Sequence, residues 1–304
     1  MALITKSLGG HISGASIRGK VRGGEKSAKS LLFLILLWFC LFVALGFLVT
    51  LIVTTFIDGA ARLDSRLLTE FPSSSPERAG ARPAIFGSIW VIGTTAVMTI
   101  PLGVAAAIHL EEFADKKNWV NRLVELNVQN LAAVPSVVYG LLTLAFLGML
   151  GVSNKNMVIV AAIALGMLIL PVIIIATREA LRAVPEEIRQ GSLALGATGL
   201  QTVWRNTLPA AVPGIATGAI LALSRALGEA APLLLLGGLV FVSFDPNGIL
   251  SGYTTIPIQI FNWTGRPQAE FHELASAASI LLLGILIAMN ALAIFIRNRF
   301  QQRW

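Results

Sequence analysis

A single cysteine, Cys40, in 304 residues excludes a disulfide framework and a thiol-based zinc cluster. The three histidines, His11, His109 and His272, are scattered, and none stands in an HExxH or other ligand spacing. No G-x-x-x-x-G-K-S/T segment occurs, so the chain lacks that loop for cradling ATP phosphates. No His/Asp/Glu/Cys set assembles into a catalytic constellation, which argues against an intramembrane enzyme. Charge is scarce as well: 13% of residues are charged, against about 25% in soluble domains. Apolar sequence fills the space, at 55% of residues with a mean hydropathy of +0.77. This composition is that of an integral membrane protein. The net charge of +7 does not point to nucleic acid, because the basic residues gather at the chain ends instead of forming a patch interleaved with aromatics.

Apolar runs over 31–57, 85–110, 128–150, 157–177, 211–242 and 274–296 predict six transmembrane helices, each long enough for a hydrocarbon core of about 30 Å. The first run is too long for a signal-peptide core and no A-x-A-like site follows it, so it is expected to be a helix of the permanent protein. Residues 1–30 are polar and basic, a composition expected to form a disordered tail at the membrane surface. With that tail cytoplasmic, the connections 111–127 and 178–210 and the C-terminal tail share its side. Together these segments carry 16 Lys+Arg against 6 on the opposite side, which satisfies the positive-inside rule with both termini cytoplasmic. Prolines 101, 135 and 171 fall within spans, and Pro232 lies beside the charges discussed next.

Within the fifth run stands Ser224-Arg225-Ala226-Leu227-Gly228-Glu229. On one continuous helix, Arg225 and Glu229 share a face about one turn apart. A charge in lipid costs roughly 3 kcal/mol on insertion scales, so such a pair is by default a functional-site candidate. The alternative is an ion pair that only fixes helix packing. Ser136 and Tyr139 share a face of the third span and are candidates for lining a polar path or for interhelical packing. Glu270, His272 and Glu273 read as loop and helix-start polar groups, and Trp263 as an aromatic anchor at the membrane interface.

The connection 178–210 is too long and too patterned for a loop. Val184-Pro185-Glu186-Glu187 starts a helix, with proline suited to the first turn and acids suited to the dipole. Gly196-Ala197-Thr198-Gly199 stops it. Leu200, Val203 and Trp204 resume a short amphipathic helix expected to end at Leu208-Pro209. Such a helix–turn–helix is either a docking element or a surface helix in the lipid interface.

At these residues the chain resembles the binding-protein-dependent ABC importer permeases. Their cytoplasmic pattern, Glu-Ala-Ala, three residues, Gly, nine residues, Ile, one residue, Leu-Pro, docks an ATPase subunit. Gly196 takes the Gly position and Leu208-Pro209 close the pattern, while Gln190-Gly191-Ser192 replace Glu-Ala-Ala and Asn206 replaces Ile. The runs Leu110-Glu111-Glu112-Phe113-Ala114 and Val134 to Leu141, with Ser224 to Leu234 and Ile256 to Trp263, look like the phosphate-specific branch, and within it the PstA type more than the PstC type.

The resemblance implies an all-α integral membrane fold of the type I ABC importer permease kind, in the bacterial inner membrane. It implies a transport subunit carrying inorganic phosphate inward by alternating access. The implied docking residues are Gln190, Gly191, Ser192, Gly196, Ala197, Thr198, Leu208 and Pro209. The implied partners are a PstC-like second permease, a PstB-like ATPase dimer that holds ATP-Mg, and an extracytoplasmic PstS-like phosphate-binding protein. This chain is expected to bind no cofactor, metal or nucleic acid of its own. Readings left open are a permease for another oxyanion, the PstC-like partner, and an autonomous channel or secondary carrier.

Overall fold

The structure, a computed structural model, describes residues 28–300 apart from 116, 153 and 239–240. The basic tail expected over 1–30 therefore lies outside the described residues, save for its last three, which open the first helix. The described elements are helical, with no strand among them.

Helix α1 (Ala28–Gly59) exposes its apolar side chains from Leu31 to Val53, as a lipid-facing helix does. A short α2 (Ser65–Thr69), capped by Asp64, leads to α3 (Arg82–Ile108), which continues as a π-turn over His109–Phe113. Then come α4 (Trp119–Ala132), α5 (Ser136–Met149), α6 (Val158–Arg182) and α7 (Glu186–Ala194). Beyond them lie α8 (Gly199–Thr202), a π-turn over Val203–Thr207, α9 (Leu208–Leu227) and α10 (Ala231–Leu235). The last two helices are α11 (Ile256–Thr264) and α12 (Ala269–Phe300).

Five of these helical segments are long and apolar enough to cross a membrane: Ser30–Arg62, Arg82–Phe113, Val158–Arg182, Gly199–Leu227 and Ala269–Phe300. The pair α4–α5 makes a sixth if counted as one span, but it is bent by 110°. The expected continuous span over 128–150 is thus broken. Pro135 has no N–H to give and disfavours the helical region at Val134, so α4 stops and α5 starts afresh.

The fifth span differs more. Instead of running over 211–242, α9 ends at Leu227 with Gly228 as its cap. Pro232 opens α10, and its ring would strike the carbonyl of Gly228 if one helix ran through. At the other end the expected stop at Leu208-Pro209 does not occur. A π-turn spaces the carbonyls more widely and carries the chain past Pro209 into the membrane helix.

The centre of the fold is α6, apolar on every side from Val158 to Ala176 and packed chiefly against α3 and α9. Small residues permit the close approach. A Cβ on Gly214 would lie 2.8 Å from the Ala180 Cβ, and one on Gly218 only 2.5 Å from the Ala176 Cβ. This is a small-residue seam, with four-residue spacing on both helices. The chain after α10 folds back over the start of α6, where Ile249 and Ser251 carbonyls accept from Ile159 and Val158 N–H at 2.8 and 3.0 Å. Those are donors an α-helix leaves unpaired at its N-terminus. Trp263 is fully buried among Leu67, Ala81 and Phe271, so it is a core residue and not the interfacial anchor expected.

Candidate functional site

Arg225 occupies the last turn of α9, where a cation suits the negative end of the helix dipole. The Gly228 N–H donates to the Arg225 carbonyl and the Glu229 N–H to that of Ala226, both at 3.2 Å, so the chain turns tightly out of the helix. This turn, and not a continuous helical face, brings the two charges together. Arg225 Nε lies 3.8 Å from Glu229 Oε1, an ion pair too long to be a hydrogen bond. The Arg225 side chain is 48% exposed and Glu229 20%. A guanidinium held this loosely keeps donors free for an oxyanion, which it can grip with two parallel hydrogen bonds.

Two helix breaks meet here. Tyr139, Ala222, Ala226 and Leu233 share one core cluster, with Val134, Leu223 and Leu234 packed against it. A Cβ on Gly140 would lie 2.8 Å from Pro232 Cα, so α5 and α10 touch through backbone. Tyr139 is buried, and its hydroxyl donates to the Leu131 carbonyl at 2.6 Å. It thereby adds a side-chain donor to a carbonyl at the C-terminal end of α4 that also accepts from the Val134 N–H at 3.1 Å. The Tyr139 hydroxyl is committed to the α4–α5 bend. Ser136 is half-buried at the start of α5, and its hydroxyl bonds no described residue.

The 178–210 segment forms the expected helix–turn–helix. Pro185 precedes α7, and Gly196, at φ +85°, ends it in the left-handed conformation that glycine adopts without strain. Thr198 then caps α8 in a reciprocal box with Gln201. Gln190 and Gly191 are exposed, Ala197 is half-buried at the turn, and Leu208 is partly buried against α6 residues while Pro209 faces outward. The departures from the family pattern answer one another. Ser192 Oγ lies 2.9 Å from Thr202 Oγ1 and accepts from Asn206 Nδ2 at 2.9 Å, so a polar cross-link joins the two helices where the pattern has Ala and Ile. Around the turn Leu193, Leu195, Leu200 and Trp204 are exposed, with Leu195 at 92%.

One constellation was not singled out in the sequence. Arg178, with only 7% of its side chain exposed, donates from Nε to Glu111 at 3.0 Å and from Nη2 to Glu125 at 2.7 Å. Arg182 Nε lies 2.9 Å from the other oxygen of Glu111. Arg189 grips Glu112 with Nη2 at 2.8 Å and Nε at 3.3 Å. The hydrogen bond to Glu112 raises the Arg189 pKa above its ordinary value, so burial leaves the charge in place. Alternating charges thus bind α3, α4, α6 and α7 at one end of the bundle. The available signal was a pair of adjacent acids, Glu111-Glu112, and three arginines at spacings of four and seven, Arg178, Arg182 and Arg189.

Comparison with known proteins agrees with this architecture. The family described as "Binding-protein-dependent transport system inner membrane component" matches residues 99–304. The probable ABC transporter permease YqgI of Bacillus subtilis is 31% identical over 269 residues, covering 84% of this chain and 90% of its own length. The phosphate transport system permease PstA 1 of Mycobacterium tuberculosis is 32% identical over 219 residues, covering 72% of this chain and 70% of its own. A solved inward-facing structure of the MetNI methionine ABC transporter contains a chain similar in fold, with a TM-score of 0.57 at 20% identity, covering 76% of this chain and 100% of that one.

Proposed function

The chain belongs to the inner membrane component family of binding-protein-dependent transport systems, and we propose that it is the permease subunit through which an ATP-driven importer moves inorganic phosphate into the cytoplasm. It is a multi-pass protein of the bacterial inner membrane and a transport subunit of a family whose ATP hydrolysis resides in separate polypeptides. The observation that carries the phosphate reading is the likeness to PstA permeases over most of the chain, with a loosely held arginine at the end of its fifth span.

In this reading the α7–turn–α8 element, with Leu195 outermost, docks a PstB-like ATPase dimer that binds ATP-Mg. A PstC-like permease faces this chain across the anion path, and a PstS-like protein delivers phosphate from outside. Both termini are cytoplasmic, as the distribution of basic residues favours. Arg225 attracts the arriving anion. Glu229 neutralises the guanidinium between transport cycles, and it can accept a hydrogen bond from the proton that phosphate retains near neutral pH. Sulfate has no such proton to give.

The test is Arg225→Gln in the assembled complex. Phosphate uptake should fall at least about 10-fold, since loss of one charge-assisted pairing is worth roughly 1.5–3 kcal/mol, while the partners still co-purify. Full uptake with normal assembly ends the pathway role; failure of assembly makes the pair a packing device.

A further inference from the structure

We propose that Arg189, gripping Glu112, is the positioning residue that makes the docking helix move as one body with α3 and α6, and so sets how much phosphate is carried per ATP. The proposal rests on the reading of α7–turn–α8 as the ATPase-docking element.

Between α6 and α7 lie only Ala183, Val184 and Pro185. A corner that short, with no other restraint, would act as a hinge, and a push on α7 would be lost in bending it. The Arg189 guanidinium closes that corner from three sides. Nη2 donates to the Leu181 carbonyl at 2.8 Å, which also accepts from the Val184 N–H at 3.2 Å, and Nη1 donates to the Val184 carbonyl at 2.9 Å, just past the end of α6. Nε and Nη2 hold both oxygens of Glu112, and Nη1 stands 3.5 Å from Glu186 on α7 itself. The planar fork is thus used in full, which a lysine cannot reproduce. The pair is mostly buried, with side-chain exposures of 15% and 9%.

The far partner is placed by the π-turn at the end of α3. There Glu111 turns to Arg178 and Arg182 while its neighbour Glu112 turns to Arg189, so one turn of backbone serves both arginine groups. At its other end α7 is tied to α8 through Ser192, Thr202 and Asn206. Tilting α7 against the bundle would break a bidentate ion pair and pull the Arg189 donors away from two carbonyls at once.

The experiment uses the complete transporter in proteoliposomes with its phosphate-binding protein, measuring phosphate taken up and ATP hydrolysed in parallel. Glu112→Gln keeps an acceptor for Arg189 but removes the charge and the two-oxygen grip; Arg189→Lys keeps the charge but loses the fork. Each variant should retain its ATPase and its stimulation by the binding protein, while ATP consumed per phosphate rises at least ~5-fold, the lower end of usual coupling between sites. The combined Glu112→Gln/Arg189→Lys variant should be no worse than the poorer single one, because both break the same joint. An unchanged ratio overturns the proposal. So does loss of the ATPase from either variant, which would place the pair in the docking surface, and so does failure of both variants to assemble, which would make its role purely structural. The docking reading has its own control: if Leu195→Glu leaves the ATPase fully bound, that reading fails whatever the ratio shows.

Discussion

Two arginines in this chain have opposite physical situations, and the difference predicts opposite phenotypes. Arg178 is buried and engaged through Nε and Nη2, with one carboxylate on each. Removing Arg178 takes one cation from Glu111, which keeps Arg182, and the 2.7 Å partner from the half-exposed Glu125. The loss falls below the roughly 3–5 kcal/mol of a fully orphaned buried charge but stays well above that of a surface pair. Arg178→Ala should therefore lower the thermal unfolding temperature of the purified permease sharply. Arg178→Lys should recover only part, because one ammonium cannot span Glu111 and Glu125 as the fork does. A melting temperature within a degree or two of the parent for Arg178→Ala would contradict the network as drawn. Arg225 has a single loose partner and is half-exposed. Exposed pairs of that kind contribute about 0–1 kcal/mol, so Arg225→Gln should melt close to the parent while losing uptake. Tyr139 belongs with Arg178: its hydroxyl is spent on the Leu131 carbonyl, and its place is in the packing of the bend.

At the scale of elements, local chemistry was legible in the sequence and breaks inside apolar runs were not. Pro185, Gly196 and Thr198 each carry a backbone preference that acts within a few residues, so α7, its stop and the cap of α8 follow directly from the residues. The breaks at Pro135 and at Gly228 lie inside runs whose overall hydrophobicity suits a straight span, even with Arg225 and Glu229 on either side of Gly228. Hydropathy measures transfer to lipid, and a bent pair is as apolar as a straight helix, so it cannot register them. The ion network was missed for a third reason. Its partners are 53 to 77 residues apart and meet only after α3, α4 and α6 have packed. The turn at Gly196 offers a sharp test of the local logic. Its missing Cβ would meet no atom within 4 Å, so the constraint is the positive φ and not space. Gly196→Val should cost roughly 1–2 kcal/mol of backbone strain, reshape the turn and release the ATPase on purification. Gly196→Asn, which tolerates the left-handed region, should retain most of the binding. Equal retention by both variants would show that the turn geometry does not matter for docking.

The segment Gly199–Leu227 begins at the turn proposed to dock the ATPase and carries Arg225 at its other end. From Leu208 to Arg225 the helix rises about 26 Å at ~1.5 Å per residue, against a hydrocarbon core of about 30 Å. If Leu208 stands at the cytoplasmic edge of the hydrocarbon core, as the proposed docking requires, Arg225 lies near the outer boundary of the membrane. That depth fits an arginine that meets the anion on entry, and it explains why the helix can end there and leave the charge half-exposed. It also limits what the chain does alone. The groove where α3 and α9 meet, about 470 Å³, is lined by Ile100, Val104, Val212, Ile220, Leu223 and other apolar residues. Such a surface offers an anion no hydrogen bond, and burying an unpaired charge against it is prohibitive. In the proposed reading, an enclosed path from Arg225 inward takes its second wall from another protein, and work delivered through α7 closes it behind the anion. The chain reconstituted by itself in proteoliposomes should take up no phosphate above the protein-free background, with or without ATP inside. The same membranes containing the second permease, the ATPase and the binding protein should take it up only when ATP is present. Uptake by the isolated chain would instead make it an autonomous channel or carrier, and the rigid link from docking turn to Arg225 would have no motor to serve.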